Sequence, residues 1–178
     1  MSNYIVEPKS RDDLRNLARQ FRKLLHLEDE LYFPIVELLD VMTEIFDDFN
    51  YEIVEDNVFS ENVHADTDIK TGLIRIKESV YEGAYKGEGR DRMTIAHEIG
   101  HYFTICVCGF KLTRNFSKKR IPAFQDPEWQ AKCFAGELMV AAHLVKGMNE
   151  YEIAKRCGVS CDAAHVQYKH LCKGGNAN

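Results

Sequence analysis

The chain has 178 residues, 45% hydrophobic and 29% charged, a composition expected of one globular domain with a sizeable core and not of two large ones. A formal net charge of −5 at pH 7 argues against nucleic-acid binding by the whole surface. No apolar run approaches the roughly eighteen residues of a membrane span, and the polar start MSNYIVEPKSRDD does not read as a secretory signal, so a cytoplasmic location without membrane contact is expected. The six cysteines (Cys106, Cys108, Cys133, Cys157, Cys161 and Cys172) are then expected as reduced thiols. Cys106 and Cys108 are too close for the usual C-x2–4-C ligand spacing, and no further Cys/His cluster completes Cys157 and Cys161.

In chain order, Ser10 with the acidic Asp12 and Asp13 behind it reads as a helix start. Leu14, Leu17, Ala18, Phe21, Leu24 and Leu25 then recur at helical spacing. Pro34 suits the opening of a second amphipathic helix carrying Ile35, Leu38, Leu39, Met42 and Ile45/Phe46. Tyr51–Val54 and Val58–Phe59 read as short strands, residues 62–72 as a turn-rich connection, and Leu73–Lys77 as a further strand. A hairpin or small sheet follows; a covering sheet is its simplest role, and an edge strand holding an extended peptide is the functional alternative. Gly83 to Gly89 reads as a flexible loop, with Asp91 or Thr94 capping the next helix.

That next helix carries His97, Glu98 and His101, the pattern H-E-x-x-H. Histidines four apart lie one turn above each other on the same helix face, where two imidazoles can converge on one zinc ion. Glu98 sits beside them, placed to act as a base on a water rather than as a ligand. Ile95, Ile99 and Tyr102/Phe103 supply the apolar face, while Ala96 and Gly100 keep the helix slim where another element approaches. A glycine in mid-helix costs up to about 1 kcal/mol against alanine, so Gly100 is expected to serve packing or function.

Two histidines and a water leave one ligand position to fill. The metzincin pattern needs Gly and His three and six residues after the second histidine; Thr104 and Val107 stand there, which excludes it. Between Gly109 and Asp126 lies a basic run, Lys111, Arg114, Lys118, Lys119 and Arg120, read as a solvated loop or, alternatively, as a lid or a dock for an acidic partner. A later helix begins at Asp126, a good N-cap, with Pro127 in its first turn. Glu128 shares a face with Ala131 and Ala135, whose small side chains allow close approach to the histidine helix. Glu128 is therefore favoured as the third ligand, with Glu137 and Asp126 as rivals and Glu137 also as a group that could orient a histidine. Tyr102, His143 and Arg92 are open candidates for stabilising an oxyanion.

Residues 149–166 resemble a helix-turn-helix, with Gly158-Val159-Ser160 as the turn and Ser160 as the second cap. Asp162, Ala163, Ala164 and His165 are poor base or phosphate readers, which argues against direct DNA binding. Lys173–Asn178 reads as a frayed tail, leaving residues 1–172 as a single domain.

Arg90-x-Arg92-Met-Thr-Ile-Ala-His97-Glu98-Ile-Gly-His101, followed by Glu128-x-x-Ala131-x-x-Phe134-Ala135-x-Glu137-Leu138-Met139, resembles the ImmA/IrrE family of metallopeptidases over roughly residues 10–172. The chain departs from that pattern at Met93, Lys132 and Met139-Val140, none of which is a ligand or the base. The resemblance implies an α+β, zincin-like fold: helical, with a small sheet before the H-E-x-x-H helix and a helix-turn-helix-like pair at the C-terminus. It implies Zn2+ held by His97, His101 and Glu128, with Glu98 as catalytic base. It also implies a zinc endopeptidase that cleaves a regulatory protein such as a helix-turn-helix repressor or an antitoxin-like partner, in bacteria, phages or mobile elements. The alternatives are a non-proteolytic protein-binding regulator and a DNA-binding regulator with a structural metal.

Overall fold

The computed structural model describes residues 4–109, 113–114 and 120–174. A short strand β1 (Tyr4–Ile5) leads into α1 (Arg11–Leu24) and α2 (Ile35–Ile45). Ser10 starts α1 through a capping box with Asp13, as its sequence suggests. Strands β2 (Asn50–Val54), β3 (Ala65–Asp68) and β4 (Leu73–Lys77) form a sheet in the order β2-β4-β3. β2 runs parallel to β4, and β3 runs antiparallel to it, with Thr67 opposite Ile74 and Asp66 opposite Arg75. Central β4 buries Ile74 and Ile76 completely, and β3 is an edge.

Helices α3 (Glu78–Tyr85) and α4 (Gly89–His101) follow, and α4 continues into a π-helical turn, Tyr102–Val107. Strand β5 (Thr113–Arg114) pairs antiparallel with β1. The chain ends in α5 (Pro127–Met139), α6 (Glu150–Cys157) and α7 (Cys161–Gly174). Among the described residues the architecture is α+β, seven α-helices with small sheets, and no helix there is long and apolar enough to cross a membrane.

The core joins α1, α4 and α5 through Phe21, Phe103 and Phe134; the last two rings stack with centroids 5.2 Å apart. Two arginines are buried among these elements, neither with a carboxylate partner among the described residues. Arg92 donates to Phe33 O at 2.6 Å and Gly158 O at 2.8 Å, with its guanidinium 3.8 Å from the centre of the Tyr32 ring. Arg22 donates to Leu138 O at 2.6 Å and to Glu30 O, and lies over the Phe33 ring. Burial lowers the pKa of both guanidiniums. A planar, weakly hydrated guanidinium tolerates this because carbonyl dipoles and ring faces replace its water.

Several expectations are corrected. Val58 closes a 3-10 turn (Asp56–Val58) instead of opening a strand, and a strand, β3, occupies the middle of the turn-rich residues 62–72. The Gly83–Gly89 loop is shorter than expected, residues 86–88: Gly83 lies inside α3, where a side chain would strike the Asp91 carboxylate, and Gly89 opens α4. Neither Asp91 nor Thr94 caps α4, whose N-cap position is Glu88 with no side-chain cap bond. Lys111, Lys118, Lys119 and residues 175–178 lie outside the described residues, while Lys173 and Gly174 still belong to α7. The six cysteines are all unpaired.

The Arg92 clip ties α4 to the segment before α2 and to the α6–α7 turn. Arg92→Lys removes the planar fork and the ring stacking, and should lower stability by about 2–3 kcal/mol, read as a fall in urea midpoint at constant slope.

Candidate metal centre

His97 and His101 lie on one face of α4, opposite the buried Ile95 and beside Gly100, as the four-residue spacing requires. The face that carries Gly100 meets α5 at Ala131. A Cβ on Gly100 would sit 2.8 Å from Ala131 O, inside contact distance of helix backbone that has little room to move. Ala131 and Ala135 are fully buried at the same junction. Small residues on both helices therefore let the backbones approach, and this brings the first turn of α5 over the histidines.

Glu128 stands in that first turn. Asp126 caps α5 by accepting from Glu128 N at 3.0 Å, and Pro127 fills the first helical position. The Glu128 carboxylate faces both imidazoles, 3.5 Å from His97 Nε2 through Oε2 and 3.4 Å from His101 Nε2 through Oε1. The two Nε2 atoms are 3.2 Å apart. Hydrogen bonding to His101 first and His97 second holds the Glu128 pKa well below the usual carboxylate range. Imidazole nitrogens this close repel unless a proton or a cation lies between them. A tetrahedral metal with bonds of about 2.0–2.1 Å spaces its ligand atoms about 3.3–3.4 Å apart. The three side chains thus fit a metal ion without rearrangement, and they form the group of His, Cys, Asp and Glu that could hold one among the described residues.

Glu98 is not part of that group. It is 8% exposed, and its Oε2 accepts from Thr67 Oγ1 of β3 at 2.7 Å. His97, Glu98, His101 and Glu128 all line an open cleft of about 850 Å³, bordered by β3 on one side and by Arg90, His64 and Lys132 at its ends.

The other candidates lie elsewhere. Glu137 neither binds with the histidines nor orients them: it is buried and accepts from Arg11 at 2.8 Å and Arg15 at 2.8 Å, tying α5 to α1. The sequence carried this signal. Positions nine apart, at about 100° per residue, fall on opposite helix faces, so Glu128 and Glu137 cannot share one. Asp126 is the N-cap and not a ligand. Tyr102 is fully buried against Phe46 and Phe49, with its hydroxyl donating to Asp48 at 2.7 Å. Arg92 is occupied by the clip described above, and His143 meets Glu28 O at 3.1 Å. None of these three lines the cleft. Thr67, Arg90 and His64 do, and sequence reasoning assigned none of them a catalytic place. His97 Nδ1 is buried without a hydrogen-bond partner among the described residues, so its ring is held by packing, edge-on to His101 at 4.6 Å.

Gly100→Ala should show how tight the α4–α5 junction is. Alanine favours helix by up to about 1 kcal/mol, yet the clash with Ala131 should reverse the sign and destabilise the fold by about 1–3 kcal/mol. The displaced Glu128 should weaken metal binding about tenfold or more, measured by competition with a chromophoric chelator. In comparisons with family models, curated proteins and solved structures, nothing matches this chain.

Proposed function

We propose that this chain is a zinc-dependent endopeptidase of the ImmA/IrrE type, zincin-like in fold, that cleaves a regulatory protein. The observation that carries the reading is the convergence of His97, His101 and Glu128 with Glu98 beside them in an open cleft. A purely structural metal site would be closed by a fourth side chain, and none of the described His, Cys, Asp or Glu residues joins the three.

His97, His101 and Glu128 would hold the ion through two neutral imidazoles and one carboxylate, a donor set suited to Zn2+. Bound there, zinc supplies positive charge that polarises a carbonyl and brings the pKa of a water to about 7. Glu98 takes the proton of the attacking water and returns it to the leaving amine, acting as base and then as acid. Strand β3 has no partner strand on its outer side among the described residues, so an extended peptide can add to it along the cleft. Arg90 and His64, 3.1 Å apart in the cleft, are among the side chains that could serve the oxyanion in place of the three excluded above.

The motif resemblance favours a helix-turn-helix repressor or antitoxin-like partner as substrate, and a cytoplasmic setting. A DNA-reading role for α6 and α7 is less favoured. Gln167 of α7 is buried against Gly136 and accepts from Arg11 at 3.3 Å, while His165 pairs with Glu150 of α6 at 2.9 Å. Those contacts spend the helix on packing.

Zinc content by elemental analysis tests the reading. Wild type should carry about one equivalent, His101→Ala and Glu128→Ala well under half, and Glu98→Gln the full amount. Glu98→Gln should also lower cleavage of a partner repressor by about 10²- to 10⁴-fold. Zinc retained in full by Glu128→Ala would overturn the ligand set. Regulation that survives Glu98→Gln would establish a binding protein instead of a peptidase.

A further inference from the structure

We propose that Thr67 is a positioning residue that holds the Glu98 carboxylate for proton transfer; the proposal rests on the peptidase reading. The Thr67 hydroxyl has a single proton and two acceptors in reach, Glu98 Oε2 at 2.7 Å and Glu98 O at 3.2 Å. The shorter contact to the charged acceptor takes the proton. Among the described residues no other side chain donates to this carboxylate. With Oε2 held, Oε1 is the oxygen left to exchange a proton with water.

The strand explains why a threonine can do this. Alternation along β3 puts Thr67, opposite buried Ile74, on the side toward α4, while Asp66 points away and pairs with Arg75 at 2.5 Å. A β-branched side chain in a strand has few χ1 options, so the hydroxyl is aimed with little rotamer freedom to lose. β4 fixes β3 on its inner edge, and the outer edge is the one an extended substrate would join. Thr67 thereby links the surface that receives the peptide to the group that moves the proton. A peptide seated on β3 stiffens the strand and, through one hydrogen bond, the base.

The test compares zinc-loaded wild type, Thr67→Val and Thr67→Ser. One readout is the crystallographic position of the Glu98 carboxylate; the other is kcat and KM on a quenched fluorescent peptide picked from a mixed library with the wild type. In Thr67→Val, which keeps the shape and loses the hydroxyl, the carboxylate should leave its position while zinc content stays full. Its kcat should fall about 10- to 100-fold with KM changing less than about threefold. Thr67→Ser should restore both. A Thr67→Val protein with the carboxylate in place and kcat unchanged would overturn the assignment, and so would a loss confined to KM. A wild type that binds zinc and cleaves no library peptide counts against the peptidase reading. The carboxylate position in Thr67→Val then decides on Thr67 alone: displaced supports the assignment, unmoved overturns it.

Discussion

The contact between Gly100 and Ala131 is the constraint on which the site depends. Two candidate ligands on one helix define a line along α4, and a third has to arrive from another helix to within about 3.5 Å of both nitrogens. A carboxylate side chain is short, so the two backbones must nearly touch. Gly100 removes the Cβ that would meet Ala131 O, and Ala131 and Ala135 remove bulk on the facing side. Glycine weakens the helix by up to about 1 kcal/mol, a loss offset by the apolar packing that close approach permits on both flanks. Phe103 stacked on Phe134 is one of those contacts.

Close approach sets the distance between α4 and α5 but not the register along it. That is set at the far end of α5. Glu137 is held by Arg11 and Arg15 of α1, and Arg22 of α1 donates to Leu138 O. A buried carboxylate between two arginines is a directional device, since leaving the Glu137 charge unpaired inside the protein costs about 3–5 kcal/mol. Sliding α5 by one turn would strand it. The arginines on Leu138 O and Glu137 therefore determine where Glu128 arrives, more than two turns away. The helix ends match this division: the N-terminus, with its positive end, carries the carboxylate that faces the histidines, and the C-terminal carbonyls face Arg22.

The parts of this arrangement that the sequence shows are those set by periodicity. His97 and His101, the Asp126–Pro127 helix start, the Glu128–Ala131–Ala135 face and the Ser10 cap follow from spacing within one helix, and all stand as read. What was misread depends on pairing across the chain. β3 has the sequence Ala-Asp-Thr-Asp, poor in the β-branched and aromatic residues that mark strands, and is a strand because β4 supplies its partner. β1 and β5 are two residues each and exist only as a pair. Tyr102, open as an oxyanion donor in the sequence, continues the buried face of Ile95 and Ile99, and its hydroxyl meets Asp48 inside the fold.

The same distinction divides the site itself. Its candidate ligand side is helical and local: two residues one turn apart, a third in a capped first turn, and an imidazole, His97, whose Nδ1 has no hydrogen-bond partner among the described residues. Its Glu98 side is non-local, because Glu98 points at the sheet and takes its hydrogen bond from β3. A histidine motif alone can bring a cation into a helix-helix junction. On the proposed peptidase reading, an edge strand beside the glutamate would add a place for an extended chain and a fixed orientation for the base. A carboxylate that is 8% exposed needs a hydrogen-bond donor in any fold, and Thr67 supplies it. For hydrolysis it matters, since a proton moves only between atoms already within hydrogen-bond reach. On the proposed peptidase reading, Thr67 thus joins two needs in one bond, satisfying a buried charge and aiming the group that moves the proton.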